Sequence, residues 1–205
     1  MLLGVVLLYV GAVLVINGIW LVGQARATAA NLGGGEPVGA EGGAALAVEK
    51  HPTFIQNREI AILNIFTGFV GVVAAITLAI QGNSDGDLAS IRGAGYILLF
   101  AFTYLWVAYN QYENAGGHGF GWYCLFVALT AIPAGIYSFT NADGNDASIY
   151  LGVDWFAWSF LWFLFFLLLA LERPIARFTG YVAILEGIGT SWVFAILLLQ
   201  DEIAF

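Results

Sequence analysis

Charged side chains are scarce in this sequence, at 10% of 205 residues against roughly one quarter in soluble domains. Lys and Arg together number only six, and they are scattered, so the chain lacks the basic surface that a nucleic-acid partner requires. Hydrophobic residues make up 60% of the chain instead. This balance excludes a soluble globular domain and predicts an all-α polytopic membrane protein.

Cysteine and histidine are almost absent as well. The single cysteine, Cys124, lies in an apolar run, so no disulfide can form within one chain. The two histidines, His51 and His118, fall in predicted loops without the spacing of metal ligands. Since there is also no nucleophile with a base and no glycine-rich phosphate loop, we expect no enzyme activity, no catalytic residue, no cofactor and no metal site.

Six apolar runs predict six transmembrane helices, which form a single domain over residues 1–205. The predicted spans are residues 2–22, 60–80, 93–108, 120–139, 155–171 and 181–199. Residues 23–59 are rich in Gly and Ala and predict a flexible loop, with a short helix near residues 44–48. Six spans also suggest a 3+3 inverted repeat, because an odd number of spans in each half inverts the second half.

The distribution of basic residues predicts the orientation in the membrane. Five of the six lie in the odd-numbered loops, which are expected to be cytoplasmic: Arg26, Lys50, Arg58, Arg173 and Arg177. Both termini then face outward, and the first span is expected to be a retained helix because it lacks a basic leader and a cleavage pattern. The acidic loops face outward too, with Asp85, Asp87, Asp143, Asp146 and Asp154.

Aromatic side chains are abundant in the fifth predicted span. Trp155, Trp158 and Trp162 recur at i, i+3 and i+7, so on a helix they form one indole face. Trp162 lies near the middle of the membrane, where its N–H group has no water, so this face is predicted to point into the protein or a pore. Packing between helices is the simpler alternative. In the third span, Phe100 and Tyr104 lie one turn apart and would supply a facing aromatic wall.

Polar side chains inside the predicted spans are few. Glu186 is the one acid well inside a span, where an isolated carboxylate costs at least about 2.5 kcal/mol, so it should face a cavity or a partner. Asn17 and Asn64 are the intramembrane amides, and such residues usually connect helices. Asn17 falls in the same half of the membrane as Glu186 and is a possible additional polar step in one pathway.

Several motifs, taken in their order along the chain, resemble the AmiS/UreI family of urea channels and short-chain amide transporters. They are LLGVVLLYVGAVLVINGI, LLFAFTYLWVAYN, WYCLFVALTAIPAGIYS, AWSFLW and YVAILEGIGTSW. The resemblance covers five of the six spans and implies a homohexamer in a bacterial inner membrane, with a solute path in each protomer. The pore-lining residues that it implies are Leu3, Leu14, Phe100, Tyr104, Trp155, Trp158, Leu161, Trp162 and Glu186.

An aromatic slot with few polar groups suits flat, neutral, dipolar solutes and excludes ions, which would lose most of their hydration. We therefore expect passive, selective conduction of urea or short-chain aliphatic amides across the lipid bilayer. A proton-coupled amide transporter that uses Glu186 is the alternative, and a structural membrane scaffold is a third possibility. Neither histidine falls in a predicted outer loop, so we expect no gating by mild acid.

Overall fold

The computed structural model describes residues 2–33 and 54–205, and the described part of the chain contains helices and no strands. All six helices are long and apolar enough to cross a membrane, as predicted. Their bounds are α1 Leu2–Gly33, α2 Asn57–Asp85, α3 Leu88–Glu113, α4 His118–Thr140, α5 Asp146–Leu169 and α6 Ala176–Leu199. The all-α six-helix prediction is confirmed, and the 3+3 inverted repeat stays a prediction.

Polar caps extend several helices beyond the apolar runs. The Asn145 side chain accepts a hydrogen bond from the Ser148 backbone N–H, so α5 begins at Asp146 and not at the first tryptophan. The prediction that Asp154 belongs to an outer loop was therefore wrong, because this residue lies two turns inside α5. The Asp87 side chain similarly caps α3, which brings Arg92 into that helix.

The first helix is also longer than predicted. It continues past residue 22 to Gly33, and its added turns lie against the residues just before α2, where the Gln24 side-chain amide donates a hydrogen bond to the Ile55 carbonyl at 3.1 Å. The flexible loop predicted for residues 23–59 is thus helical at its start and again from Asn57. Residues 34–53, with the short helix predicted at 44–48, lie outside the described residues.

Three pairs of helices make the main contacts: α1 with α6, α2 with α3, and α4 with α5. Small residues let α1 and α6 approach closely, since a Cβ atom added at Gly18 would lie 2.5 Å from the Gly180 carbonyl oxygen. Because every helix runs opposite to the next, both chain ends lie at the same end of the bundle. This arrangement places the start of α5 beside the second half of α6.

The middle of α6 departs from α-helical geometry. Residues Gly187–Val193 form a π-helical segment directly after Glu186. Single π turns inside α-helices often occur at functional sites, because they leave backbone groups for other partners. Here the Tyr150 hydroxyl of α5 donates a hydrogen bond to the Gly189 carbonyl at 2.6 Å. The π-helical segment is therefore tied to α5, the helix that carries the indole face.

Candidate functional site

A wide cavity lies at the end of the bundle where α1 begins and α6 ends. It has a volume of about 470 Å³, and its walls come from α1, α2, α3, α4 and α5 with the last residue of the chain. This wide cavity is lined by Leu3, Val6, Leu7, Val10, Leu78, Ala89, Arg92, Gly93, Tyr96, Ile97, Phe100, Tyr104, Ala134, Tyr137, Ser138, Asn141, Ser148, Leu151, Trp155, Trp158, Trp162 and Phe205. Six of the predicted pore-lining residues are therefore brought together around one space.

Phe100 is the centre of the aromatic wall in the wide cavity. Its ring centroid lies 5.4 Å from Trp155, 5.3 Å from Trp158 and 5.2 Å from Trp162. The Trp155 contact is stacked, whereas the other two are edge-to-face, and both arrangements are favoured by aromatic quadrupoles. The predicted indole face and the predicted wall on α3 are thus two sides of a single aromatic cluster.

A second cavity opens from the opposite end of the bundle. This small cavity has a volume of about 160 Å³, and Leu14 and Asn17 are among the residues that line it. The Asn17 and Asn64 amides hydrogen-bond to each other in both directions, at 3.0 and 2.7 Å. Asn17 therefore both connects α1 to α2 and presents a polar group to the cavity.

The two cavities share two lining residues, Tyr104 and Trp162. Their side chains are 4% and 3% exposed, and no hydrogen-bond partner occurs among the described residues for the Tyr104 hydroxyl or the Trp162 indole N–H. A buried donor without a partner costs about 1–3 kcal/mol, so such groups are usually explained by a water or a ligand. The junction thus contains two buried donors that have no partner among the described residues.

Two of the predicted pore-lining residues lie outside both cavities. Leu161 is fully buried and packs in the core, and neither cavity is lined by Glu186. Glu186 is connected to the aromatic wall through Thr190, which donates to the Glu186 backbone carbonyl at 2.6 Å and accepts from the Trp158 indole at 2.8 Å. The π-helical segment therefore contacts the aromatic wall through the hydrogen bond between Thr190 and Trp158.

Arg92 is the cation at the mouth of the wide cavity. Its guanidinium lies 4.0 Å from the centroid of the Tyr137 ring, a cation–π contact across α3 and α4. A positive charge at this position repels other cations that approach the wide cavity. Within the described ranges no group of three His, Cys, Asp or Glu side chains could hold a metal ion.

Sequence reasoning missed Arg92 and Asp154 as parts of this region, and it did not pair Thr190 with Trp158. For Arg92 and Asp154 the signal was the turn chemistry before each helix, because Asp87 and Asn145 are good N-caps and start α3 and α5 early. For Thr190 no sequence signal announces the π-helical turn that directs it at Trp158. Its position could be found only from the packed structure.

These features define a multi-pass membrane protein with internal, aromatic-lined cavities. Residues 50–202 match the family described as AmiS/UreI family transporter. A protein of Mycolicibacterium smegmatis named for the transport of amidate substrates is 37% identical over 200 residues, which cover 97% of this chain and 77% of that protein. The acid-activated urea channel of Helicobacter pylori is 31% identical over 219 aligned positions, covering 96% of both chains.

The fold is also similar to solved structures. The crystal structure of the Helicobacter pylori urea channel superimposes with a TM-score of 0.75 at 29% identity, and the match covers 100% of both chains. A cryo-electron microscopy structure of the closed state of that channel gives a TM-score of 0.75 at 30% identity, over 98% of this chain and all of the other. The chain belongs to the AmiS/UreI family. It is accordingly a membrane channel or transporter and not an enzyme.

Proposed function

We propose that this protein is a passive, selective channel for urea and short-chain aliphatic amides. The observation that carries the proposal is the junction of the two cavities at Tyr104 and Trp162, whose buried donors have no partner among the described residues. A urea or amide carbonyl oxygen passing the junction would accept hydrogen bonds from both groups. The solute then regains part of the hydration that it loses on entering the membrane.

The aromatic wall suits the rest of such a solute. Urea and acetamide are flat, and their N–H groups interact favourably with ring faces such as those of Phe100 and Trp158. An ion gains little from these rings, since the described lining offers few polar groups to replace its water. Neutral, planar, dipolar solutes are thus the class that the wide cavity and its junction fit best.

The test is uptake of radiolabelled urea and acetamide into proteoliposomes, with and without a proton gradient. A passive channel equilibrates each solute across the membrane at a rate that the gradient does not change. Accumulation above equilibrium that depends on the gradient would overturn the proposal in favour of a proton-coupled transporter that uses Glu186. Absence of flux in correctly assembled protein would favour a structural scaffold.

We also propose that both termini face outward from a bacterial inner membrane. Among the described residues, the basic side chains on the side opposite the termini are Arg26, Arg58, Arg173 and Arg177, and Lys and Arg near the ends of spans favour the cytoplasm. A cysteine introduced after Phe205 in a Cys124→Ala background should react with a membrane-impermeant maleimide in intact cells. Labelling that requires cell lysis would contradict this orientation.

Assembly as a homohexamer is proposed on the family resemblance alone. Each protomer contains both cavities within its own helices, so six protomers would carry six parallel paths. Native mass spectrometry of the protein extracted in mild detergent gives the stoichiometry directly. A monomer that still conducts would separate the oligomer proposal from the channel proposal.

A further inference from the structure

Two carboxyl groups are buried together between α5 and α6, apart from the solute cavities. Asp154 on α5 is 1% exposed and Glu186 on α6 is 9% exposed. The two helices contact each other at this level, because Tyr150, one turn before Asp154, donates a hydrogen bond to Gly189, about one turn after Glu186. Neither lines the wide or the small cavity. We call Asp154 and Glu186 the carboxyl pair. Glu186 directly precedes the π-helical segment, and Asp154 lies one turn after Tyr150, which binds that segment to α5.

Each member of the carboxyl pair has an oxygen atom without a hydrogen-bond partner among the described residues, namely Oδ2 of Asp154 and Oε2 of Glu186. The neighbouring donors are already engaged. The Tyr150 hydroxyl donates to Gly189, the Trp158 indole donates to Thr190, and the Thr190 hydroxyl donates to the Glu186 backbone carbonyl. The pair therefore has two buried acceptor oxygens, and the nearby donors are hydrogen-bonded to other groups.

Within residues 2–33 and 54–205, positive charges are also distant from the carboxyl pair. The guanidinium of Arg92 contacts the Tyr137 ring. The other basic residues on α1, α4 and α6 lie toward the opposite end of the bundle: Arg26, His118 and Arg177. Two ionised carboxylates here would be two like charges without a counter-ion in a region of low dielectric constant, which is strongly unfavourable.

We propose that Asp154 and Glu186 form a proton-binding site that holds one proton between them at neutral pH. The bound proton converts one carboxylate into a carboxylic acid, whose O–H group donates to the unpartnered oxygen of the other, directly or through one water. A single proton thereby satisfies both orphan oxygens and reduces the charge of the pair from two to one. Carboxyl pairs that share a site behave in this way because like charges at short range cannot both persist.

The site has a consequence for stability. The folded protein holds a proton that the unfolded chain, with carboxyl groups ordinarily ionised above about pH 5, does not hold. Protons bound in the folded state make stability fall as the pH rises. Loss of the proton would restore two like charges across the α5–α6 contact, so heat stability should decrease on the alkaline side of neutrality.

Infrared difference spectroscopy of the reconstituted protein tests the proton-binding site without any measurement of transport. Failure of the proton-site proposal is therefore distinguishable from failure of the channel proposal. The wild-type protein should show the C=O stretching band of a protonated carboxyl at about pH 7, and the band should shift in D₂O and disappear on alkaline titration. Asp154→Asn and Glu186→Gln should each remove it, because either amide supplies the donor that the proton provides. Asp143→Asn, in an exposed loop, is the matched control and should leave the band unchanged.

Three results would overturn the proposal. The first is a wild-type spectrum without a protonated carboxyl band, and the second is a band that survives both substitutions. The third is a band lost with Glu186→Gln but kept in Asp154→Asn, which would assign the proton to Glu186 alone. If a variant assembles poorly, the melting temperature of the wild-type protein is the test instead. A pair that shares one proton requires this temperature to fall between about pH 7 and about pH 9, and a constant temperature would contradict the proposal.

Discussion

At the scale of single residues, the proposed channel depends on the two side chains that both cavities share. The Tyr104 hydroxyl is buried without a partner, so Tyr104→Phe removes one donor and keeps the ring that shapes the junction. A hydrogen bond of about 1 kcal/mol corresponds to roughly fivefold in rate, and urea flux into proteoliposomes should fall by about that factor. Tyr109→Phe, on the exposed side of the same helix, should conduct like the wild type.

Trp162 contributes both ring surface and a donor at the junction. Trp162→Phe should lower urea flux several-fold through loss of the N–H group, while Trp162→Ala should also widen the junction and raise the permeability to water relative to urea. Stopped-flow light scattering measures both permeabilities in the same vesicles. Phe163→Ala, which truncates an exposed ring on α5, controls for assembly, and an unchanged permeability ratio in Trp162→Ala would place the junction elsewhere.

Glu186 is expected to act through its polarity and not as a proton carrier for the solute. Glu186→Gln keeps the shape and much of the hydrogen bonding, so it should retain at least about half of the urea flux. Glu186→Leu leaves Asp154 without a polar partner and should lower the flux more strongly, as a buried unpaired group is costly. Equal abolition of transport by both substitutions, in protein shown to be assembled, would support proton coupling.

At the scale of elements, the π-helical segment of α6 holds the aromatic wall in place. Thr190 links the Trp158 indole to the backbone of Glu186, so Thr190→Val should release this indole while preserving the volume of the side chain. We expect a changed ratio of urea to acetamide permeability in Thr190→Val and a wild-type ratio in Thr190→Ser. Thr130→Val removes a comparable side-chain hydrogen bond to the preceding turn, at an exposed position of α4, and should leave the permeability ratio unchanged.

The elements show where sequence reasoning succeeds and where it stops. The central parts of all six spans were predictable because hydrophobic runs of membrane length have few alternative structures. The helix ends were harder to predict. The α5 helix starts at Asp146 because Asn145 caps it, and hydropathy does not detect such a cap. Asp154 was therefore assigned to a loop although it lies in the helix. The aromatic wall followed from the spacing of Trp155 and its successors, but the π-helical turn depends on packing between α5 and α6.

At the scale of the whole molecule, mild external acid should change transport little. The end that we propose to face outward carries Asp87, where the hydrogen bond from the Ser90 side chain, with those from the Ala89 and Ser90 backbone, lowers the pKa of the carboxyl. A lowered pKa keeps this group ionised as the pH falls, so its charge does not switch between about pH 7.5 and about pH 5. His118 lies at the start of α4, at the opposite end from the termini, and His51 lies outside the described residues.

The measurement is urea flux in oriented vesicles as the external pH is stepped from about 7.5 to about 5, with a change of less than about twofold expected. A several-fold rise that persists after replacement of both histidines would mean that outer carboxyl groups are strongly coupled to one another. A rise that disappears with His51→Ala or His118→Ala would mean that the orientation is the reverse of the one proposed.

Because the two cavities differ in volume, we expect inhibition to depend on the face of the membrane to which an inhibitor is added. A passive path must carry a dilute solute equally well in both directions, because it has no energy source with which to favour one of them. An amide larger than the 160 Å³ cavity and too bulky for the Tyr104–Trp162 junction can still occupy the 470 Å³ cavity. Such a compound would plug the channel when added to the face where the chain begins and ends, and would be inert on the other face.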